Sequence, residues 1–526
     1  MIKPKGLFSE LQSDAPAGLV VFLVALPLCL GIALASGAPL FAGLIAGVVG
    51  GIVVGSLSGS PLSVSGPAAG LFAIVLGAIE SLKEFDIFLV AVVLAGALQV
   101  LLGFAKAGIV GYYFPSAVIK GMLAGIGITL IITQFPHALG YDLAAMEDEA
   151  ISLPSGKALS NKFVEGLYVI WLAINEYQLG AVIIALSTMF ILLVWDNPKL
   201  KQFKFFKIIP GALLAVVLGV ALNQAFAVFS PGLTLSDGHL IQLPVAKSPS
   251  DFASFFTFPN FTGLANFKVY EVAFTIAIIA SIESLLSVEA TDKMDPYKRS
   301  TPTNQELKAQ GVGNMFSGLI GGLPITAVIV RSSANANSGA KTKMSTIIHG
   351  VLLLVCAIFI PTVLNLIPKA GLAGLLLLVG YKLANVSLFK EMYKLGMRQL
   401  VPFIITIAVM LATNLLVGVG VGMVVAFFYI LKDNYTTPYF FKTLDNGSFR
   451  LELSEHVSFL NKGSIQLTLD GLANHSHIVI DGSKTVQIDY DVQEVLYNFF
   501  ENAEQRNIKV ELLNVDFNGF IPNKGH

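Results

Sequence analysis

Charged side chains are scarce in this chain. Asp, Glu, Lys and Arg together make up 13% of its 526 residues, against about 25% in soluble domains. That excludes an ordinary soluble protein, and the net charge of −1 gives no reason to expect a nucleic-acid partner. Cysteine is nearly absent too. Cys29 and Cys356 both lie within apolar runs and read as small buried hydrophobes, not as a disulfide or a metal pair. Catalytic patterns are missing as well: there is no Ser-His-Asp set, no HExxH and no paired acids. The series Gly418, Gly420, Gly422 is not followed by the Lys-Ser/Thr of a phosphate loop. Nothing points to an enzyme or to a cofactor. The polar N-terminus leads into a run without a clear small-residue cleavage site, which reads as a first spanning helix and not as a removed signal.

What fills the chain instead is apolar sequence, 55% of all residues. At about 20 residues per span, the runs predict about fourteen membrane segments. They lie near 17–35, 38–55, 66–82, 86–104, 113–134, 178–195, 208–227, 269–290, 305–320, 326–338, 344–366, 370–384, 399–414 and 416–431. The third and tenth are too short or too broken to be simple spans. Residues 163–177 read as an interfacial piece leading into the sixth. Small-residue ridges such as Gly43, Gly47, Gly51 and Gly55 put close-packing positions on one helix face.

Lys and Arg in short loops set the orientation. Lys199, Lys201, Lys204 and Lys207 fall on one side, followed there by Lys293, Lys298, Arg299 and Lys308. Lys341, Lys343, Lys390, Lys394 and Arg398 share that side. The other side is sparse, with Lys83, a mixed 140–162 loop, Lys247 and Lys268. Both termini are therefore expected in the cytoplasm. From about 438 the composition turns polar. Short alternating runs (FRLELSEHVSFL, HIVIDGS, IKVELLNV) and a helical pattern at 491–505 predict a small cytoplasmic α/β domain, so the domains are expected at 1–436 and 437–526. His475 and His477 in that region read as part of a solvated loop.

Two interrupted stretches stand out, SLSGSPLSVSGPAAG at 56–70 and IGGLPITAVIVRSS at 320–333. Irregular backbone at membrane depth lines a protein-buried cavity, and paired interruptions in two halves point to a transporter's substrate site. Pro67 suits a helix start, which would leave the N–H groups of Ala68, Ala69 and Gly70 free to attract an anion. Arg331, counted from Pro324, falls about two helical turns into the second segment and adds a cation; Thr326 adds a hydroxyl. Glu283, near the middle of the eighth span, costs about 2.5–3.5 kcal/mol to insert and is a functional residue by default. Ser287, and approximately Ser284, share its helix face. Carboxylate and hydroxyl together suit Na⁺, the carboxylate alone suits H⁺, and an ion pair with Arg331 is the structural alternative.

These residues bring out a family resemblance. D-x-x-A-G-L at 14–19, Pro27 in the first span and S-V-S-G-P-A-A at 63–69 resemble the SulP family of anion transporters. So do I-E-S-L-L at 282–286, N-Q-E-L-K-A-Q-G-V-G-N at 304–314 and G-G-L-P-I-T at 321–326. The resemblance implies an all-α polytopic membrane fold of two inverted seven-segment repeats with two broken half-helices. It also implies a core and a gate, an elevator-like motion, a homodimer and a C-terminal STAS-like domain. By position it assigns the anion site to Ala68, Ala69, Gly70, Ile329, Val330 and Arg331, with Leu28 and Ile32 from the first span. It assigns cation coupling to Glu283 and Ser287, with Thr326 beside them; Glu in place of the Asp of cyanobacterial members keeps H⁺ open beside Na⁺. At 488–491, IDYD stands where related regulators carry a phosphorylatable Ser, so a dimer-contact role is expected there instead. The wording of the first span and of 59–70 resembles a bacterial branch associated with carbonic anhydrases, which favours bicarbonate ahead of sulfate. A nucleobase permease shares the repeat architecture, but Arg331 argues for an anion. A membrane scaffold or sensor would not need Glu283 at mid-membrane.

Overall fold

The computed structural model describes residues 6, 8–109, 114–141, 162–197, 199–200, 209–436, 439–444, 447–458 and 461–517. Lys201, Lys204, Lys207 and nearly all of the 140–162 loop lie outside the described residues. The chain divides into two compact units, Met1–Met423 and Val424–His526.

The helices of the first unit, the last of which continues past Met423, follow the apolar runs. They are α1 Leu11–Ala35, α2 Leu40–Leu57, α3 Phe72–Leu82, α4 Phe85–Phe104, α5 Ser116–Ala138, α6 Lys162–Asn175, α7 Leu179–Asp196 and α8 Gly211–Phe229. The second series runs α9 Phe267–Met294, α10 Thr303–Leu319, α11 Ile329–Asn337, α12 Met344–Phe359, α13 Lys369–Leu383, α14 Val386–Lys394, α15 Met397–Ala412 and α16 Leu415–Thr436. Eight helical segments among the described residues have the length and composition to cross a bilayer, α13 and α14 counting together as one, Lys369–Lys394; further apolar stretches, α12, α15 and Leu415–Leu431 of α16 among them, are shorter. The third and tenth segments are half-helices of 11 and 9 residues, too short to span. The piece expected at the interface is α6, with Leu167, Trp171 and Ile174 exposed. The short amphipathic α14 has no counterpart in the sequence reading.

Ahead of the half-helices stand two short strands, β1 Ser65–Pro67 and β2 Ile325–Ala327. They pair antiparallel, Ser65 with Ala327, Gly66 with Thr326 and Pro67 with Ile325. Helices α1–α4 and α9–α12 pack around this pair, while α5, α7, α8, α13 and α15 pack on one another.

Close glycine contacts repeat with the symmetry of an inverted duplication. A Cβ on Gly51 of α2 would lie 2.5 Å from Gly350 of α12, and one on Gly96 of α4 would lie 2.5 Å from Gly311 of α10. The crossing of α2 with α12 is thus the image of the crossing of α10 with α4. The α5–α13 crossing maps onto itself and is met by Gly127 and Gly380, again at 2.5 Å. Nothing larger than glycine lets these backbones approach so closely.

In the second unit β3 Tyr439–Thr443, β4 Phe449–Leu453, β6 His477–Asp481 and β8 Lys509–Leu513 form one sheet, with β5 His456–Val457 and β7 Gln487–Ile488 paired apart. β3 and β4 are antiparallel; β4, β6 and β8 are parallel. Helices α17 Lys462–Asp470 and α18 Tyr490–Asn502 close a core of Leu451, Leu453, Ile465, Ile478, Ile480 and Leu496. The α/β reading holds, and α17 is an addition to it. Asp489, in the IDYD stretch, caps α18 by accepting from the Asp491 N–H at 3.1 Å. His477 faces Glu511 at 3.7 Å.

Candidate functional site

The strand pair holds the site together, and α10 holds the strand pair. Asn314 Oδ1 accepts from the Ile325 N–H at 2.6 Å, and its Nδ2 donates to the Ile325 carbonyl at 3.0 Å and to Gln99 Oε1 at 2.6 Å. One turn earlier, Gln310 Nε2 donates to Ser65 Oγ at 2.7 Å and to Glu306 Oε1 at 2.8 Å. Glu306 in turn accepts from the Ser58 hydroxyl. Ser332 Oγ accepts from the Val64 N–H at 2.9 Å, and Asn335 donates to the Leu62 carbonyl at 2.9 Å. A buried backbone polar group without a partner is costly, so these side chains stand in for the strands a sheet would supply. The sequence reading gave Gln99, Gln310, Asn314, Ser332 and Asn335 no role. Glu306, Gln310 and Asn314, spaced by four along one membrane segment, were the available signal, since that spacing lines up one helix face. Asp14, noted only as part of a motif, accepts from the N–H groups of Lys341 at 2.7 Å and Thr342 at 3.1 Å, just ahead of α12.

Two helix beginnings meet at this pair. The first helical bond of α11 runs from the Ser332 N–H to the Val328 carbonyl at 3.0 Å. The N–H groups of Ile329, Val330 and Arg331 therefore meet no backbone acceptor among the described residues. On the other side helix α3 begins at Phe72, not at Pro67, which is the last residue of β1. Ala68 to Leu71 form a turn closed by the Leu71 N–H on the Ala68 carbonyl at 3.1 Å. Proline pairs here as a strand residue because it owes the ladder no N–H. The N–H groups of Ala69 and Gly70 also meet no backbone acceptor among the described residues. Leu28 and Ile32 of α1 are buried, at 8% and 4% exposure. Ile329 and Val330 are exposed at 38% and 48%.

Arg331 lies in the first turn of α11, not two turns in, because the helix starts at Ile329. Its side chain is wholly buried, and Nη2 donates to the Pro67 carbonyl at 3.2 Å. Nε and Nη1 have no hydrogen-bond partner. Nη1 fills the place a Cβ would take on Gly66, while Cys29 and His349 lie near enough to feel its charge. The guanidinium thus sits behind β1 instead of facing an open cavity.

Glu283 is not its partner. Its carboxylate packs into the space a Cβ on Gly70 would take, and Oε2 has no partner. Gly66 and Gly70 therefore seat the base and the acid at separate points of one short segment, and the ion pair kept as an alternative does not form. Ser284 Oγ accepts from the Ala327 N–H at 3.2 Å. Ser287 is buried on the same face of α9, and Thr326 Oγ1 is buried without a partner. A buried guanidinium without a carboxylate, beside open helix N-termini, makes a positive region that favours an anion.

The "Putative sulfate transporter YvdB" of Bacillus subtilis is 26% identical over 519 residues, covering 96% of this chain and 91% of its own. The "Bicarbonate transporter BicA" of a Picosynechococcus species is 28% identical over 427 residues, covering 80% and 70%. The solved structure of the murine Slc26a9 anion transporter in an inward-facing state shares the fold, with a TM-score of 0.75 over 97% of this chain and 87% of that one at 16% identity. The model of the sulfate permease family matches residues 11–407. With that match over most of its length, the chain belongs to the sulfate permease (SulP) family of anion transporters.

Proposed function

We propose that this protein is a secondary active transporter of a small inorganic anion, bicarbonate in the first place, coupled to Na⁺ and working by an elevator motion. The observation that carries the anion reading is the pair of open helix N-termini at β1 and β2, with the Arg331 guanidinium, its Nε and Nη1 unpartnered, behind them. Backbone donors of this kind recognise charge more than shape, so the choice of bicarbonate rests on the wording of the first span and of 59–70. Glu283, Ser287 and Thr326 are assigned to the cation. The unpartnered Glu283 Oε2 and Thr326 Oγ1 are oxygen ligands of the type a hard cation takes.

A cavity of about 1200 Å³ lies between the strand-bearing helices and their neighbours, lined by Gly77 and Ser81 on one side and by Thr133 and Met410 on the other. A gap along that boundary supports a sliding motion of one group against the other. The Lys and Arg distribution supports cytoplasmic termini in a bacterial inner membrane. A homodimer, a STAS-like role for the second unit and a functional association with carbonic anhydrase complete the reading.

A second reading, sulfate with H⁺ or exchange of anions, is favoured by the carboxylate being Glu and by the similarity to YvdB. Uptake of labelled bicarbonate, sulfate and uracil into proteoliposomes, with and without a Na⁺ gradient, tests both. Bicarbonate uptake driven by Na⁺ is expected. Sulfate uptake driven by pH alone would move the assignment to the second reading, and uracil uptake would remove the anion from it.

A further inference from the structure

The transport reading leaves helix α14 without a task. Asn385 caps it, its side chain accepting from the Leu388 N–H at 2.8 Å, and Gly396 closes it with a left-handed φ of 88°. It is therefore a separate helix of 9 residues, too short to cross a bilayer. Its inner face, Leu388, Phe389 and Met392, packs on Ala117 and Ala124 of α5 and on Phe403 of α15. The Phe389 and Phe403 rings meet edge to face at 5.1 Å. On the outer face Val386, Tyr393, Lys390 and Lys394 fall within one arc of about 100°. Val386 and Tyr393 form its apolar edge, 57% and 71% exposed, and the two exposed lysines form the other. The acid of the helix, Glu391, is engaged by Lys120 of α5 at 2.7 Å, which leaves the lysine edge positive.

The inverted repeat supplies a second observation. Because the α5–α13 crossing maps onto itself, α14, which follows α13, is the image of α6, which follows α5. The two helices take equivalent places on opposite faces, and both turn apolar side chains outward. Their charges differ. Helix α6 balances Lys162 with Glu165, whereas α14 and the start of α15 carry Lys390, Lys394 and Arg398 against Glu391 alone. Position in the fold accounts for an apolar edge on both helices, but not for a basic edge on one.

We propose that α14 is a lipid-binding element: its basic edge holds the head groups of anionic phospholipids in the cytoplasmic leaflet, while Val386 and Tyr393 enter the acyl boundary. The inference rests on the cytoplasmic side given to this helix by the Lys and Arg distribution. A helix with an apolar edge beside lysines lies in the interface plane, and the long lysine stems carry their charge out to the head groups. The cytoplasmic leaflet supplies the matching negative surface. Through Phe389 and Phe403 the bound lipid fixes the ends of α5 and α15 at head-group depth, a wall against which the strand-bearing helices slide in the proposed motion.

The test uses the purified full chain in nonionic detergent at low salt, with radiolabelled dioleoyl phosphatidylglycerol and dioleoyl phosphatidylcholine as probes. Wild type should bind the anionic lipid about thirtyfold more tightly than the zwitterionic one, the scale of two lysines near an anionic surface. Lys390→Gln with Lys394→Gln should erase that preference at unchanged Tm, and Lys390→Arg with Lys394→Arg should keep it. Should the double Gln variant fail to fold, each single Gln variant should lose about fivefold. Val386→Ser with Tyr393→Ser should weaken both lipids alike. A wild type without the preference, or a folded double Gln variant that retains it, overturns the proposal and leaves the lysines a role in topology alone. Unchanged binding of both lipids by the Ser variant takes the helix out of the leaflet. Competition by glycerol 3-phosphate as strong as by the lipid makes the site one for a soluble phosphate, and overturns the proposal too. No transported anion enters these measurements, so their failure is separate from that of the anion site.

Discussion

Arg331→Met removes a buried charge while keeping most of the side-chain volume, so it isolates the field of the guanidinium. The charge lies behind β1, against Gly66 and Pro67, and acts on an anion at the helix beginnings across the thickness of one strand pair. At a separation of about 8 Å and an effective dielectric of about 20, the attraction is about 2 kcal/mol, or about thirtyfold in Kd. The lost bond to the Pro67 carbonyl costs about 1 kcal/mol of stability. Relief of a buried cation that no carboxylate compensates offsets that cost, so Tm should move by a few degrees at most. Arg331→Lys keeps the charge but not the planar fork, and should stay within about threefold of wild type in Kd. Equilibrium binding of radiolabelled bicarbonate and sulfate, read beside Tm for all three proteins, decides the matter. A wild-type Kd in a stable Arg331→Met protein would refute the field argument and leave the guanidinium a packing role.

Asn314→Leu strips partners from the Ile325 N–H, the Ile325 carbonyl and Gln99 Oε1, each worth about 1–3 kcal/mol when buried and unpaired. Its Tm should fall by several degrees and anion affinity should fall with it; an unchanged Tm would show that Asn314 does not hold the strands. In the second unit, the Ser483 hydroxyl and then Arg450 hold the Asp481 carboxyl down at about 2. Because that is below the unfolded value of about 3.9, the stabilisation is complete above pH about 4 and is lost as pH falls toward about 2. Arg450 is 40% exposed, so the effect is discounted to about 1–2 kcal/mol. The protection factors of the β6 amides, exchange rates divided into the intrinsic rate at each pH, should fall on acidification in the wild type and show a flatter acid response in Asp481→Asn; superimposable profiles would remove the ion pair from the account.

Where the fold departs from the local sequence signals, the same cause recurs: the partner is remote in the chain. Pro67 looks like a helix start because proline is favoured at a first helical position. It equally suits a strand with no N–H to give, and only its pairing with Ile325 decides between the two. Counted from Pro324, Arg331 falls two turns into a helix, but β2 takes up the intervening residues. The pair of Glu283 with Arg331 was reasonable from charge alone. The structure separates them because Gly66 and Gly70 each leave a hollow at a different point along one segment. Asn314 and Gln310 passed without a role because an amide in a membrane helix reveals its use only through the distant backbone it meets.

By itself the sequence determined the properties that depend on local composition. These are the near-absence of charge, the spans, the two interruptions, the carboxylate at mid-membrane and the change to an α/β unit after the last helix. Each of these follows from the solvent a segment must face, and lipid imposes that requirement on every stretch separately. Tertiary structure alone decided the register of Gly66 against Thr326, the seat of each charge, the amides that replace a sheet's missing neighbours and the glycine pairs at three helix crossings. Those depend on which remote backbone arrives opposite a residue. A one-residue slip in strand register sends every side chain to the other face, and hydropathy carries no record of the partner.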